Sequence, residues 1–180
     1  AQCGRSASHG ALLYLDLDHF KDVNDTLGHE WGDELLRQAG IRLCQCVRTT
    51  DTVARLGGDE FVVVLQGLDA QAAEAAMQAE AVAQKILMQL NVPYALTGAE
   101  LHCPPSIGVA LFQDAQLSVL ELLQRADMAM YQAKAQGRNA MSFFDPAMQA
   151  QASARAALEA DVRQGLERME FCLHYQPVVD

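Results

Sequence analysis

A chain of 180 residues holds one full domain with its own core plus a further segment, but not two domains, and 51% hydrophobic with 20% charged residues is globular composition. A net charge of −10 excludes a binder of nucleic-acid polymers, which needs surplus Lys and Arg, while leaving room for a small anionic substrate screened by metal ions and a few placed cations. No apolar run approaches the ~20 residues of a membrane-spanning helix and no signal-peptide pattern opens the chain, so the segment reads as cytoplasmic, with membrane attachment of a longer parent left open.

In chain order, residues 11–18 are apolar and then alternate with acids, which predicts a strand with Asp16 and Asp18 on one face near its end. A short helix over about 19–27 should stop at Gly28. The next, about 33–47, carries Asp33 and Glu34 in its first turn and Leu35, Leu36, Ala39 and Leu43 at helical spacing. Two β-prone runs, 52–56 and 61–65, flank Gly57-Gly58-Asp59-Glu60, a hairpin signal that puts both acids in the turn. Asp69 is the expected N-cap of a long Ala-rich helix to about Leu90. A strand over 106–112 follows Pro104-Pro105, which should delay its pairing. Ser118 and Glu121 fit a capping box for a helix ending near Gln136, with Gly137 just beyond, and 140–144 form a last strand. Residues 148–169 read as a solvated linker helix before a β-like run. Five cysteines, without paired metal-ligand spacing, read as free and mostly buried thiols. The element order predicts an α+β fold with helices on a largely antiparallel sheet.

Carboxylates converging from a strand end (Asp16, Asp18) and a turn (Asp59, Glu60) suit Mg²⁺, which takes oxygen ligands and bridges to phosphates; taken singly, each reads better as a solvated turn acid, and the four together point to a site. Gly57 and Gly58 allow positive φ and close approach of a ligand to the backbone. On residue type alone, Asn24 and Asp33 are either helix caps or readers of a base edge, and Lys134 and Arg138 either complement a helix dipole or bind phosphate. Lys21 alone is an exposed lysine. Arg48-Thr49-Thr50-Asp51, an R-x-x-D string, is by itself a weak motif that usually makes a surface ion pair.

The strings D-L-D-H-F-K-D-V-N-D-T-L-G-H-E-W-G-D, R-L-G-G-D-E-F, S-I-G-V-A and A-D-M-A-M-Y-Q-A-K-A-Q-G-R-N, in this order between Ala11 and Phe144, resemble the GGDEF domain of diguanylate cyclases. The resemblance implies a five-stranded, nucleotidyl-cyclase and polymerase-palm-like fold that condenses two GTP into cyclic di-GMP and two pyrophosphates, with Mg²⁺ or Mn²⁺ as cofactor and a homodimer as the working unit. It implies metal binding by Asp16, the Leu17 carbonyl and Asp59. Asp59 becomes the candidate base for the ribose 3′-hydroxyl, and Glu60 an added metal ligand among the catalytic residues. Asn24 and Asp33 would read guanine. Lys134, Arg138, Lys21 and the backbone N–H groups from His19 through Phe20 to Lys21 would meet phosphates, and Arg48 with Asp51 would bind product as a feedback inhibitor.

The opening residues, Ala1 to Ser6, do not match the family's usual D-x-L-T-x-L-x-N-R-R-like start, and Leu173 to Asp180 resembles the first strand of an EAL domain, the family that hydrolyses cyclic di-GMP. The expectation is a GGDEF domain over 1–144 truncated at its start, a linker helix over 145–169 and the incomplete beginning of an EAL domain over 170–180, cut from a tandem protein. Two rival readings are a catalytically silent GTP-binding module that tunes the attached phosphodiesterase, and a cyclic di-GMP sensor.

Overall fold

Alternation along the first strand, β1 (His9–Leu17), sorts the molecule into two faces. Ala11, Leu13, Leu15 and Leu17 are buried in the main core, whereas Leu12, Tyr14 and Asp16 lie on the opposite face, where Leu12 joins a second, smaller cluster and Tyr14 packs against it. The computed structural model describes residues 8–96, 99–113, 117–146, 161–166 and 168–170.

The chain divides into two units, Ala1–Asp145 and Pro146–Asp180. In the first, β1 is followed by α1 (Phe20–Leu27), α2 (His29–Cys46), β2 (Thr52–Gly57), β3 (Glu60–Leu68), α3 (Ala72–Asn91), β4 (Tyr94–Leu96), β5 (Ala99–Leu101), β6 (Pro105–Phe112), α4 (Val119–Ala135) and β7 (Met141–Phe143). The main sheet has five strands in the order β2-β3-β1-β6-β7, antiparallel except for the parallel β6–β7 pair. This is the α+β, largely antiparallel architecture that the element order predicts. The second unit is described over a helical stretch, 161–166, closed by the Glu170 N–H donating to the Gly165 carbonyl at 2.9 Å. The remainder of the expected linker helix and the run 171–180 lie outside the described residues. Among the described residues no helix is long and apolar enough to cross a membrane.

The main core joins Leu35, Leu36, Ala39 and Leu43 of α2 and Ala75, Ala79, Ala83, Ile86 and Leu90 of α3 to the odd-numbered β1 residues, Phe61, Val63 and Leu65 of β3, and Ile107 and Val109 of β6. Each buried Leu or Ile contributes roughly 1.5–3 kcal/mol, far more than an exposed helix pair such as Arg37–Glu34 on α2, so burial fixes which face turns inward. On the other face Ala126 of α4 packs with Leu12, Val62 and Ala110.

Several local expectations shift. Helix α2 begins at His29, not near residue 33, because Gly28 (φ 95°) both ends α1 and serves as N-cap of α2, accepting from the Trp31 N–H at 3.2 Å. Glu30 therefore occupies the first turn, and neither Asn24 nor Asp33 is a cap. Asp69 does not cap α3: Gln71 holds that place, while an Asp69 carboxylate oxygen accepts the Gln71 N–H at 2.8 Å. Pro105 joins β6 as its first residue, opposite Leu17, where a missing N–H is tolerated. The β4–β5 hairpin was not expected, since three-residue runs carry almost no periodicity. The capping box at α4 is half made: Ser118 Oγ accepts the Glu121 N–H at 3.1 Å, but the Glu121 carboxylate turns to Arg125 at 2.8 Å. Of the described cysteines, Cys46 and Cys103 are buried and Cys44 is exposed, all as free thiols.

Gly108 of β6 marks the closest approach of helix and sheet. A Cβ there would lie 1.9 Å from the Ala126 carbonyl oxygen and 2.2 Å from the Met130 nitrogen, both backbone atoms of α4. Gly108→Ala should therefore cost at least ~3 kcal/mol, seen as a lower urea midpoint with an unchanged slope.

Candidate active site

The central strand ends in a cross-strand row, Glu60 opposite Asp16 opposite Ser106, and the next row is Val62, Tyr14 and Gly108. Both rows face α4. The turn between β2 and β3 is Gly58-Asp59, with Gly58 at φ 52°, so Glu60 is the first residue of β3 and not a turn residue. Arg55 Nε donates to the Gly58 carbonyl at 2.9 Å, and the Leu17 N–H donates to the Asp59 carbonyl at 3.3 Å, which ties the turn to the end of β1.

Lys134, in the last turn of α4, reaches across to Asp16, with Nζ 2.7 Å from Oδ1. Burial raises the Asp16 pKa; Lys134 counteracts this, and the neighbouring charges of Asp59 and Asp18 push it further up. Asp127 on α4 is raised by burial and then by Glu60, against Lys134. Burial, and then the nearby Glu60 carboxylate, move the Tyr14 hydroxyl pKa up to about 12. Asp59 and Asp18 thus act on Asp16, and Glu60 acts on Asp127, with the Lys134 ammonium opposing the burial of both Asp16 and Asp127. Asp16, Asp59 and the Leu17 carbonyl are oxygen donors of the kind Mg²⁺ accepts, one or two carboxylates with the remaining positions left to phosphates and water. Among the described residues, no group of three or more His, Cys, Asp or Glu is arranged to hold a metal by itself.

Asp18 has a different part. It is 2% exposed, accepts the Ser106 hydroxyl at 2.8 Å and the Asn139 N–H at 2.9 Å, and stands 4.0 Å from Arg138 Nε. Its carboxylate binds the end of β1 to the turn after α4. Helix α1 starts immediately beyond, after His19 in the left-handed region (φ 62°), so the Phe20 and Lys21 amides belong to a first turn, whose N–H groups a helix leaves unpaired. The Phe20 ring is buried in the core and Lys21 is exposed.

Asn24 lies inside α1 with its Oδ1 buried and without a hydrogen-bond partner. That oxygen occupies the space beside Gly32 of α2, where a Cβ would come within 2.0 Å of it, and Asp33 is the next residue. Gly32, without a side chain, lets α1 and α2 approach closely at this point. Arg48 and Asp51 lie at the opposite end of β2 from the Gly58-Asp59 turn, ~20 Å of extended strand away. They line a cleft of about 320 Å³ with Val47, Gln66, Gln78 and Lys85. One Asp51 oxygen accepts the Arg48 N–H at 2.9 Å and the other the Gln66 N–H at 3.2 Å.

The fold therefore brings Asp16, Leu17, Asp59, Glu60 and Lys134 together, sets Arg138 beside them through Asp18, and keeps Arg48 with Asp51 at a distance. Sequence reading passed over Tyr14, Asp127, Ser106 and Gly32. For Tyr14 the signal was available, since alternation puts residue 14 on the face of Asp16. Asp127 and Ser106 become visible only once α4 and β6 are placed. With a folded pKa raised from 10.0 to about 12, Tyr14 adds stability that is complete below pH 10 and is lost as the pH climbs through 12. Tyr14→Phe should delete a late step from an alkaline absorbance titration of tyrosinate and leave the earlier ones in place.

The family model for "Diguanylate cyclase, GGDEF domain" matches residues 1–140. A bifunctional diguanylate cyclase/cyclic di-GMP phosphodiesterase of Pseudomonas aeruginosa, MucR, is 43% identical over 94% of this chain, which spans only 24% of that protein's length. Among solved structures, an EAL/GGDEF domain protein from M. capsulatus superposes with a TM-score of 0.70 at 42% identity, covering 79% of this chain and 88% of that one. The GGDEF domain of DgcB from Caulobacter crescentus, solved in complex with c-di-GMP, gives 0.66 at 28% identity, covering 76% and 78%. With the family model matched over more than half of its length and its motifs gathered at one end of the sheet, the chain belongs to the GGDEF family of diguanylate cyclases.

Proposed function

We propose that this domain condenses two GTP into cyclic di-GMP, each 3′-oxygen attacking the α-phosphorus of the other nucleotide with loss of pyrophosphate. The observation that carries the reading is the meeting of Asp16, the Gly58-Asp59 turn and Lys134 at the end of β1, where Lys134 Nζ lies 2.7 Å from Asp16. Asn24 and Asp33 read guanine: the unpartnered buried Oδ1 of Asn24 is an acceptor awaiting a donor, and a wrong base would leave it unpaired. Lys134, Arg138, Lys21 and the first-turn amides of α1 at Phe20 and Lys21 take the phosphates. Gly57 and Gly58 carry no Cβ, and one built there would meet nothing within 4 Å, so the nucleotide can approach the turn. Asp59 accepts the proton of the 3′-hydroxyl, and Glu60, the first residue of β3, adds negative charge beside it. Asp16, the Leu17 carbonyl and Asp59 would hold Mg²⁺ or Mn²⁺, which supplies Lewis-acid stabilisation of charge on the phosphoryl oxygens.

One domain holds one GTP, so two copies must face each other. Product formation from GTP and Mg²⁺ should rise faster than linearly with protein concentration, and Asp59→Ala should lower it by at least ~10³-fold while leaving GTP bound. Binding of GTP by the wild type without turnover would favour the silent regulatory reading. Residues 145–169 as a linker helix and 170–180 as the opening of an EAL domain fit the tandem relatives, with that domain as the partner in the parent protein.

Feedback by cyclic di-GMP is assigned to the cleft of Arg48 and Asp51. Both Asp51 oxygens already accept backbone N–H groups, so the arginine carries most of the recognition. In a calorimetric titration, Arg48→Ala should weaken cyclic di-GMP binding at least ~10-fold, the value of one charged hydrogen-bonding group. Unchanged affinity removes this assignment.

A further inference from the structure

Three successive residues after α4 have positive φ: Gly137 (121°), Arg138 (63°) and Asn139 (46°). Glycine adopts this region freely and asparagine tolerates it, but arginine does not, so Arg138 must be held there by its surroundings. On its N-terminal side the Arg138 N–H donates to the Ala133 carbonyl at 3.2 Å. On its C-terminal side Asn139 is fastened twice, its N–H to Asp18 Oδ2 at 2.9 Å and its Oδ1 to Asn91 Nδ2 at 2.6 Å.

Each anchor is itself fixed. Asn91 ends α3 and also donates to the Leu87 carbonyl at 2.9 Å, which holds its rotamer. Just beyond it, Arg42 of α2 binds the carbonyls of Gln89, Val92 and Pro93 and stacks 4.1 Å from the Tyr94 ring centre. Asp18 is buried, with Ser106 on its other oxygen. Arg138 is thereby kept with Nε 4.0 Å from Asp18 and a side chain that is 51% exposed, oriented but still able to meet a ligand.

We infer that the chain Asn91–Asn139–Asp18 is a positioning device that holds Arg138 in its left-handed conformation as a preformed phosphate contact. Asn91, Asn139 and Asp18 act through Arg138 and need not touch the nucleotide. The inference rests on the proposed reading of Arg138 as a phosphate ligand. It adds that α3, on the main-core face of the sheet, sets the strength of that contact.

The test is a double-mutant cycle on the full chain, read by calorimetric binding of 3′-deoxy-GTP with Mg²⁺, a probe that cannot condense. Asn91→Ala should weaken binding about fivefold, the value of one hydrogen bond, while the melting temperature stays within a few degrees. In an Arg138→Ala background the same substitution should have no further effect. Asn139→Gly, which keeps the backbone conformation and the N–H to Asp18 but removes the acceptor for Asn91, should reproduce the Asn91→Ala result if that variant folds poorly. Unchanged affinity in these variants, or effects that add in the double mutant, overturns the inference. A wild type that does not bind the probe overturns the proposed function and the inference with it, and that outcome is visible before any variant is compared.

Discussion

Helix α4 lies so close to β6 that its backbone at Ala126 and Met130 takes the volume a side chain on Gly108 would need. The arrangement of the site depends on this contact. The helix direction carries Lys134 over Asp16, puts Asp127 within reach of Glu60, and delivers the turn at Arg138 and Asn139 onto Asp18. A helix raised by one methyl group would leave the ammonium short of the carboxylate and the turn short of its buried acceptor. Packing, rather than any polar contact, therefore sets the spacing of the charges.

That spacing creates an electrostatic excess. A chain with a net charge of −10 gathers carboxylates from β1, the β2–β3 turn, β3 and α4 and opposes them with Lys134 and the more distant Arg138. The carboxylates differ in their protein partners. Asp18 is fully engaged by hydroxyl and amide donors, which suits a buried structural charge. Asp16 has one ion pair, with Lys134, and burial disfavours its ionised form. Two acids two residues apart on the same strand end are thus separated into scaffold and site by what packs over them.

Much of this was legible in the sequence, for identifiable reasons. Alternation in residues 11–17 set the faces of β1, Gly-Gly between β-formers located the hairpin, and Ser118 and Gly137 bracketed α4. What was misjudged depended on neighbours. Asp33 looked like a first-turn acid because the start of α2 rests on a glycine that is also the end of α1, and Asp69 looked like a cap although it closes a turn two residues earlier. Asp18 and Asn139 could not be paired from the sequence, since their hydrogen bond joins residues 121 apart.

The central strand of the sheet is also the first among the described residues, and this governs when the site comes into being. Both neighbours of β1 arrive late, β3 from residue 60 and β6 from residue 105, and the turn whose Asn139 amide binds Asp18 comes after residue 136. Such non-local pairing must overcome the entropy of closing long loops before any contact repays it. A ribosome-bound chain that has emerged only through the G-G-D-E-F string carries Asp16, Asp18, Asp59 and Glu60 but not yet Lys134 or Arg138. The polar link between the two ends is thus made in one late step, when the turn after α4 closes on a strand made more than a hundred residues before.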